Sequence, residues 1–217
     1  MNLPFTYDQF IDVFRRYNDG VWPAQGLLVG LAVAAVLLGL RRSPSCARWA
    51  SGILAALWIW AGIAYHLAYF ARINPAAVLF GVAFAAQSAL FAWLAWRPGG
   101  LEFRPLDAVT GVVGGVLITY ALVAYPLLAT ALGHRYPATP TFGVPCPTTI
   151  FTLGMLVWAG DRAPRRLLVV PVAWSVVGLA AATLLRMRED LVLAPAALLA
   201  LALSYRRRVP ARLPLAA

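Results

Sequence analysis

Long apolar runs separated by short arginine-bearing connections constrain this chain more than any other feature. Hydrophobic residues make up 62% of its 217 residues, and charged residues only 12%. A water-soluble domain carries about 25% charged residues, so a lipid bilayer is the expected solvent. A helix needs about 20 apolar residues to cross the hydrocarbon layer. The sequence therefore predicts an all-α polytopic membrane protein whose residues 1–217 form a single integral membrane domain.

About seven transmembrane helices are predicted. We place them near residues 24–40, 49–71, 74–96, 108–132, 148–160, 167–185 and 191–205. The fifth and seventh are short. The fifth can span only if part of the preceding "VPCPTT" also lies at membrane depth. Pro137, Pro140, Pro145 and Pro147 are expected to keep residues 133–149 from forming regular helix.

An amphipathic helix over residues 7–20 precedes the first span. Its apolar face carries Tyr7, Phe10, Ile11, Phe14 and Tyr17, and its acids and arginines fall on the opposite face. Thr6 and Gln9 form a capping-box pattern. Such a helix fits two interpretations, an interfacial anchor on the membrane surface or a lid over a binding site in the bundle.

The arginines indicate how the chain is oriented. All eighteen cationic side chains are arginines, which excludes a lysine Schiff base. They are spread over the turns and the C-terminal tail, so the net charge of +10 does not indicate nucleic-acid binding. Twelve of them fall in one set of alternate connections and six in the other. The positive-inside rule then predicts an extracytoplasmic N-terminus and a cytoplasmic C-terminus.

That orientation brings most of the chemically versatile side chains to the outer face. Residues 133–149, "GHRYPATPTFGVPCPTT", contain His134, Tyr136 and Cys146. Their proline-broken backbone is either a re-entrant segment lining a cavity or an ordered extracellular loop. Arg186, Glu189 and Asp190 lie after the sixth span; the acids either start the next helix or accept a proton or cation.

Two polar residues lie within predicted spans. His66 follows an aromatic stripe, and Gln87 shares a helix face with three phenylalanines. Ionisable groups inside a membrane are costly and often functional. Each side chain is also explained by a bond to a neighbouring helix. The predicted ligand-binding candidates are thus His66, Gln87, His134, Tyr136, Cys146, Arg186, Glu189 and Asp190.

Neither a cofactor nor a metal site is predicted. The sequence contains no nucleophile elbow, zinc-binding HExxH motif, phosphate-binding loop or dinucleotide fingerprint. Cys46 and Cys146 fall on opposite sides of the predicted membrane, so they are not expected to form a disulfide. Cys146 alone is a weak signal for a metal site, which normally needs three or four ligands.

Several blocks together resemble a family of bacterial integral membrane proteins that is known only as a domain of unknown function. The blocks are "YDQF", "YHLAYFARINPAA", "GHRYPATPTFGVPCPTTIFTLG", "PVAWSVVG" and "RED". The resemblance covers essentially the whole chain, and its most specific part is the block from Gly133 to Gly154. It implies a multi-pass bacterial membrane protein and transfers no activity or site residue.

Three functional hypotheses follow. The first is binding or transport of a small solute or ion through a cavity that faces the extracytoplasmic side, with the bilayer as the main partner. The second is a membrane-embedded enzyme that acts on a lipid or isoprenoid-like substrate, with histidine and carboxylate groups as acid and base. The third is an accessory protein whose outer loop docks a membrane complex. The sequence favours the first and leaves oligomeric state open.

Overall fold

The computed structural model describes residues 3–41, 43–97 and 100–205, except for the side chain of Tyr205, and over these residues the chain folds into helices. The helices are α1 (Tyr7–Val21), α2 (Ala24–Gly39), α3 (Pro44–Trp60), α4 (Ala77–Trp96), α5 (Ala108–Thr119), α6 (Tyr125–Ala131), α7 (Pro145–Ala159), α8 (Val169–Leu184) and α9 (Leu193–Tyr205). A π-helical segment, Ala61–Leu67, extends α3, and a second, Tyr120–Ala124, joins α5 to α6. The all-α prediction is confirmed.

Helix α1 has the predicted amphipathic form. Thr6 and Gln9 make both bonds of the capping box. The apolar face buries Phe10, Phe14 and Tyr17 against the bundle, and α1 meets α2 at 87°. The helix therefore lies across one end of the bundle rather than alongside it.

Helix α7 is the centre of the bundle. All of its residues except Cys146 are buried, and it contacts α3, α5, α8 and α9. A Cβ on Gly154 would lie 2.8 Å from the Gly114 carbonyl oxygen of α5, so only glycine permits this approach. Because protein surrounds α7, its 15 residues form a helix shorter than a lipid-exposed span requires.

The start of α7 differs from the prediction. Pro145 and Pro147 were expected to interrupt helical structure, yet they belong to its first turn. Proline is tolerated there because the first amides of a helix have no intrahelical acceptor. The helix thus begins three residues earlier than predicted, and Val144 precedes it as the N-cap. Only the preceding part of the proline-rich segment is a loop.

Seven spans are not confirmed. Among the described residues, four helical stretches are long and apolar enough to cross a membrane. They are Pro44–Arg72, Ala77–Trp96, Ala108–Ala131 and Arg165–Leu184. The bent pair α1 and α2 raises the number to five if it counts as one span. Helices α2, α7 and α9 have 16, 15 and 13 residues.

The connections gather at two ends of the bundle. The α1 end comprises α1 and residues 68–76, 133–144 and 185–192. At the opposite end, Arg162 pairs with Glu102 at 3.2 Å, and Arg97 and Arg166 lie over the Trp93 ring at 4.5 and 4.4 Å. Of the arginines counted for orientation, Arg42, Arg206, Arg207, Arg208 and Arg212 lie outside the described residues.

Candidate functional site

His134 is bonded through both ring nitrogens at the α1 end. It follows α6, and its backbone amide donates to the Ala129 carbonyl at 2.9 Å. Its Nδ1 lies 2.7 Å from Glu189 Oε1, and its Nε2 lies 3.2 Å from the Tyr7 hydroxyl. In the tautomer with its proton on Nδ1, the ring donates to the Glu189 carboxylate and Nε2 accepts from the Tyr7 hydroxyl. The result is a chain of three groups, Tyr7–His134–Glu189, which links α1 to the bundle.

Glu189 holds the lower end of this chain. It lies in the 3₁₀ turn Arg188–Val192 and is fully buried. Its backbone carbonyl accepts a hydrogen bond from the Tyr120 hydroxyl at 2.8 Å, which fixes the turn against the α5–α6 junction. Its second carboxylate oxygen, Oε2, has no hydrogen-bond partner among the described residues. The hydrogen bond with His134 is therefore the side-chain contact that compensates the burial of this carboxylate.

Asp190 is the second buried acid of the same turn. Its Oδ1 accepts a hydrogen bond of 2.6 Å from the Tyr125 hydroxyl, and the Cys146 thiol is a further donor to it. Burial raises the pKa of Asp190 to about 7, and the neighbouring Glu189 carboxylate also raises it, against the lowering effect of the two donors. Asp190 can therefore gain or lose a proton close to neutral pH.

An apolar cavity of about 360 Å³ lies between α1, α8 and the start of α7. Phe10 and Phe14 line it from α1, and Ala181 lines it from α8. Asp190, Tyr125 and Cys146 supply polar groups on its wall. Its volume falls within the range of small-molecule sites, about 300–1,000 Å³. We refer to it as the apolar cavity.

A wider, polar pocket of about 600 Å³ adjoins the apolar cavity. Tyr7, His134, Arg186 and Arg188 line it, and Leu184 and Leu185 line both spaces. The imidazole of His134 faces this polar pocket, while Glu189 lies behind it.

Helix α1 is fastened over the apolar cavity by the proline-rich loop. The Asn18 side-chain amide donates to the carbonyls of Pro137 at 2.6 Å and Thr139 at 2.8 Å. Its Oδ1 accepts from the Thr141 hydroxyl at 2.8 Å. Gly143 completes the loop with φ +102°, and a side chain there would collide with Leu28. The cover over the cavity is thus a built contact between α1 and residues 137–141.

His66 lies apart from this cluster. It belongs to the π-helical segment and is fully buried. The rings of Phe80, Phe84 and Trp174 lie 5.7, 4.8 and 4.9 Å from its imidazole. Neither ring nitrogen has a hydrogen-bond partner in the part of the chain that the structure describes. Trp174 separates it from the apolar cavity, so His66 is behind the wall rather than on it.

The other predicted site residues divide in the same way. Cys146 and Asp190 line the apolar cavity, and Arg186 lines the polar pocket. Gln87 instead donates to the Leu167 carbonyl at 3.0 Å, toward the opposite end of the bundle. Tyr136 is 53% exposed and packs near Trp22 at 6.5 Å between ring centroids.

Tyr7 and Tyr125 are site residues that sequence reasoning missed. In the sequence, Tyr7 is one of several aromatic residues on the apolar face of α1, and Tyr125 lies within an apolar run. Only their tertiary placement brings their hydroxyls to His134 and Asp190. Within the described ranges no group of three or more His, Cys, Asp or Glu side chains could hold a metal ion, and Cys46 and Cys146 are free thiols.

Fold and site together define a class: an apolar helical protein with a buried acid–histidine cluster and two adjoining cavities at one end of its bundle. The chain belongs to a family of unknown function (DUF6064), whose model matches residues 7–214. No curated protein and no solved structure matches it. The family resemblance noted in the sequence is thereby confirmed.

Proposed function

We propose that the protein is a seven-span bacterial inner-membrane protein that binds a small solute in the apolar cavity from the extracytoplasmic side. The observation that carries this proposal is a cavity of about 360 Å³ bounded mainly by aromatic and aliphatic side chains. An apolar wall excludes a hydrated ion and favours a solute with substantial apolar surface. Transport is the further step that such binding would serve.

The proposed topology extends the four to five apolar stretches to seven crossings. Helices α2, α7 and α9 run between the same two ends as the longer stretches, and α7 is shielded by its neighbours. The α1 end carries the fewer arginines, which supports an outward orientation.

Site-specific labelling tests the orientation. Tyr136→Cys and Arg104→Cys are each placed in a chain whose native cysteines are replaced by serine; both positions are exposed and lie at opposite ends of the bundle. A membrane-impermeant maleimide should label Tyr136→Cys in spheroplasts and Arg104→Cys only after lysis. The reverse pattern contradicts the orientation, and labelling of both from outside contradicts a membrane crossing by Ala108–Ala131.

Photolabelling tests solute binding. The probe is a dodecanol that carries a diazirine, added to the protein in phosphatidylcholine nanodiscs, with labelled peptides identified by mass spectrometry. We expect labels on residues that line the apolar cavity. Ala181→Phe fills the cavity from α8 and should remove them. Ala56→Phe makes the same change on an exposed face of α3 and should leave them. Equal labelling in both variants contradicts the proposal.

A second candidate function rests on the Tyr7–His134–Glu189 chain. A carboxylate that orients an imidazole, which in turn accepts from a hydroxyl, is the arrangement of a general base with its positioning group. It lies on the wall of the polar pocket beside the apolar cavity, as an enzyme acting on a lipid or isoprenoid-like substrate requires. This reading predicts that His134→Ala abolishes turnover of a lipid ester or phosphoester, whereas His66→Ala does not; retained turnover in His134→Ala contradicts it.

A further inference from the structure

The two cavities at the α1 end share part of one wall. Leu184 and Leu185, at the end of α8, line both the apolar cavity and the polar pocket. The first space is bounded mainly by aromatic and aliphatic side chains. In the second, Arg186, Arg188 and His134 lie beside leucines. A molecule that extends past the end of α8 therefore meets an apolar wall on one side and cationic groups on the other.

The apolar cavity also reaches the lateral surface of the bundle. Val176 is 68% exposed and Leu184 is 48% exposed, and both line this cavity. These positions face the hydrocarbon layer when α8 spans a membrane. A ligand with an apolar chain can thus reach the cavity sideways from the bilayer, with its polar end near the membrane surface.

The cationic side of this site carries uncompensated charge. Over the part of the chain that the structure describes, Arg186 and Arg188 form no ion pair with a carboxylate. The nearest acid in sequence, Glu189, is buried and bonded to His134, so the imidazole and not the carboxylate faces the pocket. Two guanidinium groups with free donors are suited to a phosphate or carboxylate.

The backbone of Arg186 supplies an independent observation. Its φ is +58°, and it is the non-glycine residue with positive φ among those described. It occupies the position after the C-cap Leu185 of α8, where glycine is the favoured residue. A left-handed conformation is energetically unfavourable for a residue with a Cβ. An arginine held at such a position points to a role for its side chain that the fold itself does not require.

We propose that the site binds an amphipathic anion, with its phosphate or carboxylate head at Arg186 and Arg188 and its apolar chain in the apolar cavity. This inference rests on the proposed solute-binding function and names the chemical class of the solute. A membrane lipid with an anionic head and a free lipid phosphate both belong to this class, because each has an anionic group at one end and an apolar chain at the other.

Paired photoprobes test the inference. Dodecyl phosphate and dodecanol, each with a diazirine at the same carbon, are compared in phosphatidylcholine nanodiscs. We expect the phosphate to label the apolar cavity at lower concentration. Arg188→Gln should weaken labelling by the phosphate at least about fivefold, the effect of losing one charge-assisted hydrogen bond, and leave dodecanol labelling unchanged. Arg135→Gln is the matched control, because Arg135 is exposed at the same end and lines neither space.

Arg186→Gly separates binding from stability. Glycine relieves the left-handed conformation, so the thermal midpoint should stay the same or rise by a few degrees while phosphate labelling falls. A structural role for Arg186 would lower both.

Two further arms distinguish the outcomes. Anionic phosphatidylglycerol in the nanodisc should compete with the phosphate probe, and inorganic phosphate should not. Competition by inorganic phosphate alone overturns the amphipathic ligand. Equal labelling by both probes, unaffected by Arg188→Gln and Arg186→Gly, overturns this inference and leaves solute binding intact. Failure of both probes to label the cavity overturns the proposed function itself.

Discussion

The two histidine regions of the protein are both buried, yet they differ in what surrounds the imidazole. His134 is 8% exposed and has an oxygen of Glu189 or Tyr7 at each ring nitrogen. His66 is fully buried among aromatic rings, and within the described ranges neither of its nitrogens has a hydrogen-bond partner. The His134 region borders the polar pocket, whereas the His66 region borders only packed side chains. Hydrogen-bond partners and access to a pocket, rather than burial, therefore distinguish a candidate site from a core position.

The largest effect is expected from breaking the His134–Glu189 pair. Glu189→Ala leaves the buried Nδ1–H of His134 without its acceptor and opens a void, which together should lower the free energy of unfolding by about 2–4 kcal/mol. Glu102→Ala removes an exposed carboxylate from its pair with Arg162 and should cost less than about 1 kcal/mol. Thermal or denaturant unfolding in detergent measures both. Equal losses in the two variants would show that the buried pair is no stronger than a surface one.

The next largest effect is expected from the ionisation of Asp190, the second buried acid of the turn that contains Glu189. The pKa of Asp190 is about 7 in the folded protein, above the ordinary value of 3.8. The folded state therefore binds the proton more tightly than the unfolded state between these values. The contribution of Asp190 to the free energy of unfolding should therefore be most favourable below about pH 4, fall by a few kcal/mol in total as pH rises toward 7, and change little beyond it.

Asp190→Asn isolates this contribution. The amide cannot ionise, so the difference in thermal midpoint between Asp190→Asn and the native chain should grow in favour of the variant as pH rises from 4 to 7. Tyr125, Cys146 and Glu189 surround the group and are present in both proteins, so their own titration cancels in the difference. A difference that does not vary with pH contradicts a proton held at Asp190.

The end of the bundle at which the site residues lie could be predicted, because it depends on the order of apolar runs and turns along the chain. Alternation of apolar runs and turns placed His134, Cys146, Glu189 and Asp190 at one end, and the structure brings all four there. The hydrogen bond between His134 and Glu189 could not be predicted. The two residues are 55 positions apart, and no sequence pattern indicates how α6 is rotated against the turn that precedes α9.

The proline-rich segment shows a second limit of the sequence. Proline is disfavoured in the interior of a helix but is tolerated in its first turn. The sequence pattern alone does not show whether a proline interrupts a helix or begins one. The buried surroundings of Val144 and Thr148 decide that α7 starts at Pro145. His66 illustrates the same limit, because an aromatic stripe looks identical whether it lines a cavity or packs against Trp174.

A third prediction contrasts the histidines directly. His66→Leu replaces an imidazole whose two nitrogens lack partners with an apolar side chain of similar size, which should raise the free energy of unfolding by about 1–2 kcal/mol. His134→Leu leaves the Glu189 carboxylate buried without its partner and should lower it. Unfolding curves of the two variants give the signs. A large loss of stability in His66→Leu would reveal a polar partner for His66 and remove the contrast between the regions.

The smallest effect is expected at the outer end of the hydrogen-bonded chain. Tyr7→Phe keeps the ring of Tyr7 on α1 and removes only the hydroxyl that lies 3.2 Å from His134 Nε2. Because this contact is partly exposed, the loss should be about 0.5–1 kcal/mol. Tyr136→Phe, at the same end, removes a hydroxyl that makes no hydrogen bond to the described residues and should leave stability unchanged. Amide hydrogen exchange would then locate the change, with faster exchange in the first turns of α1 for Tyr7→Phe and not for Tyr136→Phe. If neither variant alters exchange in α1, Tyr7 does not fasten the helix, and Asn18 with the proline-rich loop alone holds it over the apolar cavity.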